Sequence, residues 1–153
     1  MATLPQIRRF RLADMDRIAA IEAASFARDA YDRNLFAEFF HKCGDLFLAA
    51  EWREVVRGYS VTCIRGERAE IVSIAVEPRF RGNGIASALM DSTLRRLRRR
   101  PVTRLGLMVR VGNRPARQFY EKYGFEKVRL VRGYYENGSD GILMSREMKK
   151  TRE

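Results

Sequence analysis

Two groups of residues have the types and spacing to do chemistry. The first is Arg79-Phe80-Arg81-Gly82-Asn83-Gly84, followed by Ile85-Ala86. Gly82 and Gly84 let the chain turn sharply without a Cβ clash. A helix that starts near Ile85 turns its free N–H groups and the positive end of its dipole into that loop. Such a junction suits an anion, best a phosphate or pyrophosphate. It is not a Walker loop, because no Lys-Ser or Lys-Thr follows the glycines, and it is not a dinucleotide fingerprint, because position 87 is Ser. A ligand-free surface turn is the plain alternative. The second group is Asn113 and Tyr120. Asn113 caps a helix whose first turn holds Pro115, and Tyr120 brings a phenol with an ordinary pKa near ~10, protonated at neutral pH. The alternative for Tyr120 is a partly buried aromatic whose hydroxyl simply finds a partner.

The elements that must position these groups follow from pattern. Ile71 to Val76 is apolar and β-branched, which predicts a strand running from Glu70 to Val76, stopped by Pro78. The helix after the loop extends from Ile85 to about Arg100, burying Ile85, Leu89, Met90, Thr93, Leu94 and Leu97, and Pro101 ends it. Arg104 to Val111 is the next strand, parallel to the first because a helical crossover joins them. Gly124 ends the Asn113 helix and Phe125 opens another strand. Upstream, Ile7 to Leu12 is a short strand, and Asp14 caps a helix carrying Met15, Ile18 and Ile21 on its apolar stripe. A second helix runs from Arg33 to Lys42, with Leu35, Phe36, Phe39 and Phe40 inward and Gly44 as its stop. Leu46 to Trp52 and Val56 to Arg65 form a hairpin about Arg53-Glu54, whose turn type the sequence does not reveal. With the Glu70 strand they make an antiparallel meander.

The 153 residues predict one domain over positions 1–153, and the 46% hydrophobic fraction a globular one. No apolar run approaches a membrane span, and Met1 to Arg11 has no signal core, so a cytoplasmic protein without membrane contact is expected. Cys43 and Cys63 have no metal-ligand spacing, and His41 is the sole histidine. No metal is expected, and both cysteines are expected as reduced packing residues. Of the net charge of +11, nearly all lies between Arg79 and Arg117, where eleven arginines face one acid, Asp91. A polyanionic ligand, a nucleic-acid or ribosome surface, or, for Arg95, Arg96, Arg98, Arg99 and Arg100, a solvated helix face each accounts for this.

Taken together, Arg79-x-x-Gly82-x-Gly84 resembles the acetyl-coenzyme A loop [QR]-x-x-G-x-[GA] of the GCN5-related N-acetyltransferase (GNAT) superfamily. Asn113-x-x-Ala116-x-x-Phe119-Tyr120-Glu121-x-x-Gly124-Phe125 is similar to its second motif, about 30 residues on. Ile21-Glu22-x-x-Ser25-Phe26, Gly133-Tyr134-Tyr135 and Asp140-Gly-Ile142-Leu143-Met144 resemble the ribosomal-protein-alanine and archaeal-type N-terminal acetyltransferases. The resemblance spans residues 4–149. It implies an α/β (α+β) GNAT fold, with a mixed, twisted sheet of six or seven strands, a splayed parallel pair at its centre and flanking helices.

It also implies acyl transfer from acetyl-CoA to an amine. Backbone from Arg81 to Ala86, with Arg79, Gly82, Asn83, Gly84 and Ile85, would hold the pyrophosphate. Ile74, Ala75 and Val76 would pair with the pantetheine arm, which requires the parallel strands to splay beyond Val76, by a bulge in the first. An N–H near Val76 would polarise the carbonyl. Asn113 corresponds to a coenzyme contact and Tyr120 to the general acid. Tyr134 and Tyr135 would shape a peptide groove. The relatives resemble Glu-Val-Arg-x-x-Asn where this chain has Met108-Val109-Arg110-Val111-Gly112-Asn113. Met108 cannot take a proton, so Glu70 is the leading base, with an exposed strand-end carboxylate or a water chain as the alternatives. The main expectation is acetylation of a protein N-terminal α-amine. The others are a small-amine acetyltransferase, for a polyamine or an antibiotic, and a weakened RNA- or ribosome-binding module.

Overall fold

The computed structural model describes residues 4–148. Its strands are β1 (Gln6–Arg9), β2 (Phe47–Trp52), β3 (Val55–Arg65), β4 (Arg68–Val76), β5 (Arg104–Arg110), β6 (Glu126–Val131) and β7 (Gly141–Glu147). Its α-helices are α1 (Met15–Phe26), α2 (Arg33–Cys43), α3 (Ile85–Leu97) and α4 (Arg114–Lys122). The strands form one mixed sheet in the order β1-β2-β3-β4-β5-β7-β6. This is the expected architecture with seven strands. Only β4 and β5 pair in parallel, as the helical crossover through α3 requires.

Alternation along the strands explains the layers. In β2, Phe47 and Ala49 face a core with Ile18 and Ile21 of α1 and Phe36 of α2, while Leu48 and Ala50 face Ile85 and Leu89 of α3. Helices α1 and α2 therefore cover one face of the sheet. Helix α3 covers the other, sharing with Tyr120 of α4 a core built on Leu105, Leu107 and Val109 of β5. All six apolar positions named for α3 are buried. Its seat needs Gly58 of β3, where an added Cβ would come within 3.0 Å of both Ala75 O and Ile85 Cγ2.

The expected hairpin forms, with its turn type now visible, and two other expectations are corrected. The β2–β3 hairpin turns through Arg53 and Glu54 with φ of 54° and 67°, the left-handed pair of a type I′ turn without its usual Asn or Gly. Asp14 does not cap α1 with its side chain. Its carboxylate accepts instead from the Arg11 N–H at 2.8 Å and from the Arg8 guanidinium at 2.8 and 2.9 Å. Cys43 and Cys63 are not reduced: they form a disulfide, with Cα atoms 5.1 Å apart. The packing of α2 brings its last residue over β3, a proximity that a separation of 20 residues along the chain does not announce.

The parallel pair also parts earlier than expected. Pairing of β4 with β5 ends at Ile71 and Leu107 rather than beyond Val76. On the other side of β4, Val61 of β3 pairs with Ser73 and Thr62 with Ile71, so Val72 is an extra residue. That bulge turns β4 away from β5, while β5 stays paired with β7 as far as Arg110 and Gly141. The β5-facing edge of β4 is left without ladder partners from Val72 onward.

Candidate active site

The gap between the parting strands is the floor of a cleft of about 440 Å³. Glu70, Ile71, Val72, Ser73 and Ile74 of β4 line it on one side, and Leu107, Met108, Val109 and Arg110 of β5 on the other. Helix α4 closes one end with Asn113, Ala116 and Tyr120. The α1–α2 segment adds Glu22, Ser25, Phe26, Asp29 and Tyr31, and the β6–β7 loop adds Tyr134 and Tyr135. The cleft thus gathers Glu70, Ile74, Asn113, Tyr120, Tyr134 and Tyr135 from the residues singled out in the sequence. It does not take in Ala75 and Val76, whose side chains belong to the cores under α1–α2 and α3.

The glycine loop lies beside this cleft, not in its lining. Gly82 and Gly84 have φ of 83° and 80°, and an added Cβ at either would meet nothing within 4 Å, so here conformation alone calls for glycine. Asn83 Nδ2 donates to Phe80 O at 3.0 Å and braces the turn. Helix α3 begins directly after Gly84, so its first N–H groups open onto the loop. Arg81 joins loop to cleft, donating from Nε to Val76 O and from Nη2 to Ser25 Oγ, both at 3.3 Å. Arg79 and Arg81 are exposed.

Tyr120 is 9% exposed and packs edge-on against Phe119 and Phe125. Burial pushes its phenol well above the ordinary value, with Tyr135 adding to the shift. The phenol is therefore protonated throughout the working pH range. Asn113 Oδ1 accepts from Ala116 N at 3.3 Å and caps α4 as expected. Met108 lies against Gly141, where an added Cβ would meet Met108 Cε at 2.8 Å. Glu70 is exposed at the rim.

Three features at this site were given no chemical role by the sequence reading. Glu22, on the buried stripe of α1, is only 1% exposed. Its Oε1 accepts from Ser73 Oγ at 3.0 Å and from the Tyr59 hydroxyl, and its Oε2 accepts from Tyr31 N at 2.9 Å. Burial raises its carboxyl, against the lowering effect of the Tyr31 and Ser73 bonds. Tyr31, half-buried beside Tyr134, Glu22, Glu70 and Tyr135, has its phenol pushed up to about 12, chiefly by burial. Arg110 reaches across the mouth: it is ion-paired with Asp29, donates to Asn137 Oδ1 at 3.2 Å and lies 4.1 Å from the centre of the Tyr135 ring. The one available signal was Glu22, a carboxylate on a stripe otherwise apolar, which is seldom buried unless partnered.

This arrangement joins a helix start whose first N–H groups are open, a strand edge with open backbone and a buried, protonated phenol. Residues 12–125 match the acetyltransferase (GNAT) family model. The chain belongs to that family. An N-alpha-acetyltransferase of Saccharolobus solfataricus is 30% identical over 93% of this chain and 92% of its own length. A Bacillus subtilis relative, named provisionally as a ribosomal protein bS18-alanine N-acetyltransferase, is 31% identical over 94% of this chain and 96% of its own. The crystal structure of Ard1 from Thermoplasma volcanium superposes with a TM-score of 0.91 at 29% identity, covering 97% of this chain and all of that one. This GNAT protein is accordingly an N-acetyltransferase. Its GNAT fold is shared with Naa20 of Chaetomium thermophilum, solved with a bisubstrate analogue, at a TM-score of 0.86 and 23% identity over 95% of this chain and 87% of that one.

Proposed function

We propose that this protein transfers the acetyl group of acetyl-CoA to the N-terminal α-amine of a protein or peptide. The observation that carries the reading is the cleft itself. On a chain of net charge +11 its lining includes three carboxylates, Glu22, Asp29 and Glu70, against one guanidinium, Arg110, already paired with Asp29. Such a lining attracts an ammonium group. The aromatic mouth of Tyr31, Tyr134 and Tyr135 suits the peptide that follows it. The Saccharolobus relative is named for the same class of acceptor.

In this reading the backbone from Arg81 to Ala86, with Arg79 nearby, receives the pyrophosphate at the start of α3. The pantetheine arm lies along the open edge of β4, using backbone of Ile74, Ala75 and Val76, and the Val76 N–H polarises the thioester carbonyl. Asn113 stands at the coenzyme's side of the cleft. The neutral amine attacks the carbonyl carbon, the C–N bond forms and the C–S bond breaks. Tyr120 gives its proton to the departing thiolate. The burial that keeps this phenol protonated also raises the basicity of a thiolate formed beside it. Glu70, at the rim, helps to draw the ammonium inward and competes with a deeper carboxylate as proton acceptor.

The test is CoA release from acetyl-CoA with short peptides bearing free or blocked N-termini. Release only with free α-amines, reduced about 10²-fold in Tyr120→Phe, is the expected result. Turnover of polyamines or aminoglycosides with none of peptides overturns the N-terminal reading. Contact with ribosome or nucleic acid is a separate proposal, favoured by the place of the arginine run. Arg95 to Arg100 lie at the far end of α3, about 20 Å from the loop at 1.5 Å per residue, too far to serve the coenzyme. Its test is a salt-dependent RNA affinity lost in Arg98→Glu/Arg99→Glu, with the KM for acetyl-CoA unchanged.

A further inference from the structure

Glu22 lines the cleft and has no part in the steps above, although an acceptor amine reaches the enzyme largely protonated and Met108 takes no proton. The carboxyl is buried, yet one of its hydrogen-bond partners faces the cleft. That partner is Ser73, which follows the bulge residue Val72 where β4 leaves β5. Ser73 Oγ lies 3.0 Å from both Glu22 Oε1 and the Tyr59 hydroxyl. With the Tyr59 and Ser73 hydroxyls both donating to Glu22 Oε1, Ser73 Oγ keeps lone pairs that can accept a proton from the cleft side.

We propose that Ser73 and Glu22 together take the proton from the acceptor amine. The ammonium proton passes to Ser73 Oγ as the Ser73 hydroxyl proton passes to Glu22 Oε1. The amine keeps its lone pair, Ser73 ends as it began, and Glu22 holds one proton, returned to solvent by the same path once the product has left. After attack, Tyr120 gives its proton to the sulfur and recovers one from the nitrogen, so both protons lost by the ammonium are accounted for. Glu22 acts through Ser73 and positions it, and Ser73 is the group that meets the amine.

The groups around Glu22 favour this assignment over Glu70. Tyr59 faces it from β3, Tyr31 and Asp29 from the turn after α1, Glu70 from β4, Tyr134 and Tyr135 from the β6–β7 loop, Tyr120 from α4 and Arg110 from β5. Arg110, the cation among the cleft-lining residues, is taken up by Asp29, so it does little to lower the proton affinity of Glu22. Burial raises its affinity for a proton above that of an ordinary carboxylate, which strengthens it as a proton acceptor. Glu70 is exposed and has no such environment.

The inference rests on amine acetylation in this cleft, and its test is kcat/KM against pH for wild type, Glu22→Gln, Ser73→Ala and Glu70→Gln, using any peptide or small amine that wild type acetylates. Glu22→Gln and Ser73→Ala should lose about 10²-fold at pH 7. The deficit should shrink as pH rises past the pKa of the amine, and with an aniline-type acceptor that enters neutral. Glu70→Gln, which loses only the attraction for the ammonium, should raise the acceptor KM and leave kcat near the wild-type value. A deficit equal at every pH and for both acceptors would make Glu22 a purely structural residue and overturn the proposal. So would a pH-dependent deficit confined to Glu70→Gln. If Glu22→Gln fails to fold, Ser73→Ala decides alone. Wild type that turns over no amine at all would instead sink the parent reading.

Discussion

The Arg110 guanidinium of β5 is ion-paired with Asp29 in the turn after α1, and the same side chain bonds Asn137 in the β6–β7 loop. One residue thus ties together the two segments that supply Tyr31, Tyr134 and Tyr135 to the mouth. Both ion-pair partners are partly buried, with side-chain exposures of 32% and 17%. Bonds to charged groups in such settings contribute about 1.5–3 kcal/mol. Arg110→Ala should raise the KM for the acceptor about 10-fold or more and leave the KM for acetyl-CoA near its wild-type value, because the glycine loop makes no contact with Arg110. Steady-state kinetics with each substrate varied in turn checks this.

The raised carboxyl of Glu22 has a consequence for stability that does not involve turnover. A carboxylic acid whose pKa is higher in the folded than in the unfolded state binds more protons when folded. Its contribution to stability is then greatest below the unfolded value and falls as pH rises through the folded one. Asp14 behaves oppositely. Burial pushes it up, but the bonds from Arg8 and the Arg11 N–H outweigh that and leave it lowered, so its contribution is present at neutral pH and lost on acidification. Urea denaturation across pH should show Glu22→Gln more stable than wild type on the alkaline side, with the gain vanishing toward pH 4. Asp14→Asn should be less stable than wild type at pH 7, the difference closing in acid.

The disulfide between Cys43 and Cys63 closes a loop whose ends are 20 residues apart. Loop-closure entropy for a ring of this size is worth about 3 kcal/mol. Reduction with dithiothreitol, or Cys43→Ser with Cys63→Ser, should lower the denaturation midpoint accordingly. Since α2 packs beside the segment carrying Tyr31, through the Phe36 and Phe39 rings, the acceptor KM should respond more than that of acetyl-CoA. Equilibrium unfolding with and without reductant measures the first effect, and kinetics the second.

Gly58 lets α3 sit close on the sheet, with Ala75 O and Ile85 Cγ2 both 3.0 Å from an added Cβ. Overpacking at such a contact costs about 1–3 kcal/mol. Because Ile85 is the first residue of α3, any shift moves the N–H groups that face the glycine loop. Gly58→Val should therefore lower thermal stability and weaken CoA binding together, whereas Gly66→Ala, in an open turn, should leave CoA binding unchanged. Calorimetric titration with CoA distinguishes the two.

The sequence by itself determined the order of the elements and the two motif-bearing junctions. Local physics governs these: β-branched alternation from Ile71 to Val76, an apolar stripe from Ile85 to Leu97, left-handed glycines at 82 and 84, and an Asn113 cap above Pro115 are all written within a few residues of one another. Hence the crossover between β4 and β5 and the helix start at the loop were legible, as were Asn113 and Tyr120 as residues sharing one helix. Only the tertiary structure decided where β4 and β5 part, because the bulge at Val72 is a matter of register with β3 and leaves no mark in local pattern. It likewise decided that Glu22 meets Ser73 and Tyr59, that Arg110 meets Asp29 and Asn137, and that Cys43 meets Cys63. Each of these joins residues at least 20 positions apart. Such pairs come together because helices bury their apolar faces on the sheet, and burial depends on area and shape rather than on which polar group arrives beside which.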